Sequence, residues 1–275
     1  MNMGFHIRSS LGWLLYRLQR QIPNLRGKQW LLRFFTSVVG ALPLKTKDGI
    51  WLETLLTSSM DLSYLDPAGG GHDLIRAEIN RLKPGDVVVD IGANTGYLAL
   101  LASRQVGATG CVLCFEPSQR EFVRLLQNVR RNHANNLYAL NLAASDRPGL
   151  QALPVCDSHT GTNSFHVADA AGHDCQEVVV MPLAALLLDL KFSDIALLKL
   201  DVEGHEWQVL LGLQPLLETG AVQRVVVEIT EAFQAGSSGN AARIYALMGS
   251  LGYQPRFGLQ NLWHYDEIFS LSGRS

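Results

Sequence analysis

The stretch Val87-Val88-Val89-Asp90-Ile91-Gly92-Ala93-Asn94-Thr95-Gly96-Tyr97 limits the fold of this chain more than any other. An apolar run leads into a turn of small residues, and a helix starts behind it. Glycine lets the backbone approach a ligand closely, and Asn94 is among the few other residues that tolerate a left-handed conformation. Twenty residues past Gly96, Glu116 closes the next apolar run, where a carboxylate can accept both hydroxyls of a ribose. The glycines do not follow the G-x-G-x-x-G spacing of a dinucleotide fold. Asp90, just before the first glycine, suits a nucleoside ligand carrying an ammonium group rather than a pyrophosphate.

The same alternation continues along the chain. Strands are predicted at Val87–Ile91, Cys111–Glu116, Leu137–Ala143, Ile195–Asp201 and Gln223–Ile229, with helices at Thr95–Gln105, after Ser118, and at Gly204–Thr219. Ser118 and Glu121 have the spacing of a capping box. Apolar strands alternating with helices imply a mostly parallel sheet with helices on both faces. Residues 149–181 break this rhythm, with short strands expected at Leu150–Val155, Asn163–Val167 and Glu177–Met181, and read as a β-rich insertion near the site. Asp48-Gly49 is a hairpin turn signal. Leu11, Leu14, Leu15, Leu18 and Ile22 recur at helical spacing up to Pro23, and Trp30, Leu31, Phe34, Phe35 and Val38 suggest a second short helix. The organisation is therefore a basic helical extension over residues 1–42 and an α/β domain over 43–275.

A second constellation, Lys199-Leu200-Asp201-Val202-Glu203-Gly204-His205-Glu206, ends one strand and opens a helix. Ligands of open α/β sheets bind outside the carboxyl ends of the strands, and so many ionisable groups at one tip suit chemistry. Lys199, Asp201 and Glu203 share parity and face one side if the strand continues. Capping and dipole complementarity at the helix start are the plain alternative for the two acids.

Charge and cysteine usage exclude several classes. Residues 1–47 hold eight basic side chains and no acid, leaving fifteen basic against twenty-five acidic residues in the rest: a basic arm on an acidic body. Apart from that arm nothing marks a nucleic-acid partner, and no apolar run is long enough to span a membrane. Cys111-x-x-Cys114 lies within a strand, whose alternation sends the pair to opposite faces, so these read as core thiols. A reducing cytoplasm fits four dispersed cysteines.

Asp90 through Tyr97, Phe115-Glu116-Pro117-Ser118, Leu198 through Glu206 and Val225-Val226-Val227-Glu228 together resemble the FkbM family of methyltransferases. Gly161-Thr162-Asn163-Ser164 is similar to the family's loop before the acidic block. The resemblance implies the Rossmann-like class I methyltransferase fold with a seven-stranded sheet. It implies S-adenosyl-L-methionine as cofactor and methylation of hydroxyls on sugars, glycans and other natural products. One departure is visible: Pro182-Leu183-Ala184 stands where the family commonly has Thr-Leu-Asp.

The cofactor candidates are thus Asp90, Gly92, Asn94, Gly96, Tyr97, Glu116, Pro117, Ala143 and Asp201. Asp201, Glu203 and His205 are the candidate bases, since a hydroxyl must lose its proton as it attacks. Lys199, Glu228 and Asn163 are assigned to the acceptor, which could be a small molecule, a glycan or a peptide. Asp201 and Glu203 could also share a metal, but no third ligand is evident and none is assigned. Rival classes are a NAD(P)-dependent oxidoreductase, which the glycine spacing opposes, a non-catalytic cofactor-binding module, and a peptide or nucleic-acid methyltransferase. The arm could join two copies into a homodimer.

Overall fold

The computed structural model describes residues 3–21, 34, 36–66, 72–155, 165, 174–230, 240–260 and 262–273. Its centre is a seven-stranded sheet. In chain order the strands of the sheet are β3 (Val87–Ile91), β4 (Cys111–Phe115), β5 (Leu137–Leu140), β9 (Ile195–Leu200), β10 (Arg224–Thr230), β11 (Tyr253–Pro255) and β12 (His264–Leu271). Across the sheet the order is β11-β12-β10-β9-β3-β4-β5, and only β12 runs antiparallel to its neighbours. This is the mostly parallel α/β arrangement expected of a class I methyltransferase.

Each strand feeds both faces of the sheet because its side chains alternate. Val89 and Ile91 of β3, with Leu198 and Leu200 of β9, pack on one side against Leu210 and Leu213 of the helix Glu206–Glu218. Val88 and Leu197 point to the other side, toward Ile79 of the helix Asp73–Asn80 and Leu100 of the helix Tyr97–Val106. All six residues of β9 are buried. Burial on both faces explains why these strands are apolar apart from the opposed pair Asp90 and Lys199.

The insertion forms its own three-stranded sheet. β7 (Gly149–Val155) pairs antiparallel with β8 (Asp174–Met181), and β6 (Ala143–Ala144) runs parallel to β8. The predicted third strand, Leu137–Ala143, is therefore split: Leu140 ends β5, and Ala143 belongs to the small sheet. The strand expected at Asn163–Val167 falls almost wholly outside the described residues; Phe165 lies in a turn. The hairpin at Asp48-Gly49 is present as β1 (Leu42–Lys45) and β2 (Trp51–Thr54). Asn128 and Asn132 of the helix Gln119–Arg131 tie it to the body by accepting hydrogen bonds from the N–H groups of Glu53 and Trp51 at 2.7 and 2.9 Å.

Two local expectations need correction. Ser118 caps its helix by position, but its hydroxyl donates to the Glu121 carboxylate instead of accepting from the helix backbone. Its own N–H is taken by Glu116, and Glu121 is turned toward Arg120 and Arg124 of the same helix, so both residues of the capping box take other local partners. In α1 (Met3–Gln21) the inward face is Gly12, Trp13, Leu15 and Tyr16, while Leu11, Leu14 and Leu18 face outward. A Cβ on Gly12 would lie 2.7 Å from Leu44, so the glycine sets how closely α1 seats on β1. Of the second predicted helix, Trp30, Leu31 and Phe35 lie outside the described residues.

Candidate active site

The carboxyl ends of β3, β4 and β9 open into a cleft of about 850 Å³, its mouth included. Gly92, Ala93 and Asn94 line it behind β3, Glu116 and Pro117 behind β4, and Asp201, Val202, Glu203 and His205 behind β9. Ala143, Leu153 and Phe165 from the insertion close one side, and Met60, Tyr64 and His72 another. A cleft at these strand ends is the expected ligand site of such a sheet.

The turn after β3 is shaped by its neighbours as much as by any ligand. Gly92 has φ +82°, and a Cβ there would sit 1.7 Å from the Asp201 carbonyl oxygen. A Cβ on Gly96 would lie 2.2 Å from Leu125. Gly92 lets the tips of β3 and β9 meet, and Gly96 seats a helix. Gly96 and Tyr97 are thus corrected as direct ligands, since neither lines the cleft. Tyr97 is buried, stacks on Tyr64 with ring centroids 4.3 Å apart, and donates to Asp48 at 2.6 Å.

Asn94 does adopt the left-handed conformation, with φ +52°. Its N–H donates to Glu116 Oε2 at 2.7 Å, and the Ser118 N–H donates to Oε1 at 2.8 Å. Burial pushes the Glu116 carboxyl up to about 8, against the pull of these two donors. The cleft wall beside Glu116 is apolar, formed by Phe115, Pro117, Leu142 and Ala143. A carboxylate beside an apolar slot suits a nucleoside, with an acceptor for its hydroxyls and a surface for its base.

Asp90 and Lys199 are directly opposed on β3 and β9. The Lys199 ammonium donates to Asp90 Oδ1 at 3.1 Å and to the Gly92 carbonyl at 3.0 Å, and lies 3.2 Å from Asp201 Oδ2. Its three donors are therefore committed, and the two carboxylates hold it charged. Asp90 thus receives an ammonium from the chain itself, and Lys199, which lines the cleft, holds two acids in place. Asp90 Oδ2 has no hydrogen-bond partner among the described residues.

The strand does not continue through Glu203, so parity is not what gathers the acids. β9 ends at Leu200, and Glu203 and Gly204 take φ values of +53° and +97°. That tight turn folds Glu203 back into the cleft. Burial, then Asp201, then Glu206 push the Glu203 carboxyl up to about 8. Glu228 follows Val227, the partner of Leu200, so it stands beside Asp201. Burial and Asp201 push the Glu228 carboxyl up, which favours it as the donor to Asp201, and His264 Nε2 lies 3.1 Å from its Oε1. Asp201 is held below the usual carboxylate range, its burial outweighed by Lys199 and by that donated bond. Oxygens of Asp201, Glu203 and Glu228 lie within 4.8 Å of one another, so the third carboxylate missing from the sequence exists. Within this group Lys199 offsets the charge of Asp201.

His205 is buried, with Nε2 3.1 Å from Ser145 Oγ and its ring against Phe165. Asn163 falls outside the described residues, as do His159, His166 and His173. Tyr64, His72 and Ser145 carry no sequence signal. They reach the site from a hairpin-following segment, a helix start and the small sheet, all fixed by tertiary packing. His72 is kept neutral by burial and by nearby Lys199. Pro182-Leu183-Ala184 opens the helix Leu183–Asp189 with Leu183 and Ala184 buried, away from the cleft wall. Cys111 and Cys114 are free thiols on opposite faces of β4, pushed up by burial.

Residues 90–255 match the model of the methyltransferase FkbM domain. The chain is 27% identical over 222 residues to the 31-O-demethyl-FK506 methyltransferase FkbM of Streptomyces tacrolimicus, covering 70% of this chain and 82% of that protein. It is 28% identical over 167 residues to the hexuronic acid methyltransferase AglP of Haloferax volcanii, covering 58% of this chain and 62% of that protein. Among solved structures, cofactor-bound Rv0187 from MTB superposes with a TM-score of 0.46 at 13% identity, covering 77% of this chain and 85% of that one.

Proposed function

The chain belongs to the FkbM methyltransferase family, it is an S-adenosyl-L-methionine-dependent methyltransferase, and from that premise we propose that it methylates a hydroxyl of a sugar, glycan or related natural product. The observation that carries this is the division of the cleft. One wall holds Glu116 beside an apolar slot, and the other holds Glu203, a carboxyl of about 8, within a group of coupled acids.

When bound, S-adenosyl-L-methionine supplies an electrophilic methyl group. Glu116 would hold its ribose, with Asn94 and Ser118 orienting the carboxylate, while Pro117, Leu142 and Ala143 cover the base. Gly92 keeps the β3 and β9 tips close enough for the two walls to share one cleft.

The acceptor hydroxyl gives up its proton to the chain. Glu203 is the best base, because a group near 8 is largely able to take a proton at slightly alkaline pH and still hold it. Asp201 is a weaker base, stabilised as an anion by Lys199 and the Glu228 proton. It fixes the electrostatics around the acceptor instead. His205, anchored on Ser145, borders the same space and positions the acceptor. Alignment of the two reactants supplies the remaining acceleration. The relatives from Streptomyces tacrolimicus and Haloferax volcanii are named for methylation of 31-O-demethyl-FK506 and of a hexuronic acid, which supports a hydroxyl-bearing acceptor.

The test is transfer of isotopically labelled methyl to a panel of hexuronic acids, neutral sugars, macrolide alcohols and peptides. Labelling of hydroxyl compounds with none on peptides is expected. Labelling confined to peptides or to an amine would overturn the assignment.

A further inference from the structure

α1 has two apolar faces, and the domain uses only one. Phe5, Gly12, Trp13 and Tyr16 turn inward, with Phe5 edge-on to Trp51 at 5.0 Å and Gly12 against Leu44. Opposite them, Ile7, Leu11, Leu14 and Leu18 form a stripe at three- and four-residue spacing. These side chains are 63%, 36%, 55% and 42% exposed. Val38 adds a further exposed apolar side chain in the turn of helix before β1. Among the described residues, nothing covers the stripe.

The charges around it point to one kind of occupant. Arg8 and Arg17 lie about a quarter turn to either side of the stripe, and both are exposed. Arg8 also lines a groove with Arg120, Arg124 and Arg131, but those three are paired to Glu121, Asp61 and Glu53, so the unneutralised basic side chains beside the stripe are those of α1. Residues 1–47 contain no acid. Two such arms packed together would set like charges against each other, without the opposite charges by which helix pairs select partners. An apolar stripe bordered by arginines instead matches the acyl and headgroup layers of an anionic lipid surface. No described helix is long and apolar enough to cross a membrane, so the arm would lie in the plane of the surface.

We propose that the outward face of α1 docks this protein on anionic lipid bilayers. The inward face stays seated on β1, so docking needs no rearrangement of the domain, and the catalytic cleft remains formed. Arg8 and Arg17 meet headgroups while Ile7, Leu11, Leu14 and Leu18 enter the boundary with the acyl chains. This inference stands independently of which acceptor is methylated.

The test uses the full chain, sedimented with vesicles of phosphatidylcholine alone or of equal parts phosphatidylcholine and phosphatidylglycerol. Binding to the anionic vesicles only, weakened by added salt, is expected. The Leu11→Ser/Leu14→Ser double variant should partition at least about tenfold more weakly. Arg17→Gln should lose about fivefold, the scale of one basic side chain at an anionic surface. Binding of S-adenosyl-L-methionine and the melting temperature should not change in either variant. If the double variant does not fold, the Arg17→Gln result decides. Equal partitioning onto both vesicle types, or onto neither, would overturn the proposal. So would a wild-type dimer that the double variant turns into a monomer without altered vesicle binding.

Discussion

At the tip of β4 a buried carboxylate faces backbone N–H groups; at the tips of β9 and β10 half-buried carboxylates face one another. Glu116 is met by Asn94 and Ser118 through the main chain, at 2.7 and 2.8 Å. Those donors are fixed by the fold and cannot titrate, so the oxygens of Glu116 stay oriented toward a ligand that brings hydroxyl donors. Asp201, Glu203 and Glu228 lie among one another's oxygens, with Lys199 on Asp201 and His264 on Glu228. Their charges are set by Lys199 and by one another, so each proton gained or lost changes the others. The first arrangement suits binding, and the second suits moving a proton.

The sharpest way to break this contrast is Glu203→Gln. It should lower kcat about 10²–10⁴-fold, the usual contribution of a positioned base, with cofactor affinity changed only a few-fold by calorimetry. A larger loss in His205→Gln than in Glu203→Gln would transfer the base to the histidine. Next comes Gly92→Ala, which joins the two tips. Its Cβ would overlap the Asp201 carbonyl at a positive φ, so thermal unfolding should show a loss of about 2–3 kcal/mol. Unchanged stability would mean the tips can separate freely.

Glu116→Ala addresses the binding side. Affinity for S-adenosyl-L-methionine should fall by about 1–3 kcal/mol, the scale of a lost charge-assisted hydrogen bond, while Asp201→Asn should leave it nearly intact. Equal losses in both variants would erase the division.

Titration gives a smaller, graded effect. Glu116, Glu203 and Glu206 are all raised from 4.5 to about 8 by burial. Between these values the folded chain binds more protons than the unfolded one, so stability should fall as pH rises through that window. Melting curves near the two ends would show it, and Glu203→Gln should flatten the slope. In the same window kcat/KM should rise with pH toward a plateau above about 8, as Glu203 loses its proton. The smallest effect expected is that of a chelator. With Lys199 offsetting the charge of Asp201, activity should change by less than about twofold; a large loss restored by Mg²⁺ or Mn²⁺ would assign Asp201, Glu203 and Glu228 to a metal instead.

Much of the architecture was legible beforehand. Strand β3 begins and ends where its apolar run does, and β4, β9 and β10 differ from expectation by a residue at their ends, because burial on both faces leaves an uninterrupted apolar signal. The segment Leu137–Ala143 was misjudged because a continuous run does not show where a chain leaves one sheet for another. Of the α1 leucines only Leu15 packs inward, beside Gly12 and Tyr16, since close approach to β1 favours the smallest residue on the helix.

The sequence by itself determined the alternating α/β order, the glycine turn with Glu116 after it, and the acidic block at Asp201–Glu206. These are local patterns, written in periodicity and spacing along a single segment. Only the tertiary structure decided their partners: Lys199 opposite Asp90, Glu228 beside Asp201, Ser145 on His205, and Tyr64 and His72 on the cleft wall. Each joins residues far apart in the chain through sheet register or helix packing. Register follows from the fit of the whole core, which no single stretch of sequence encodes.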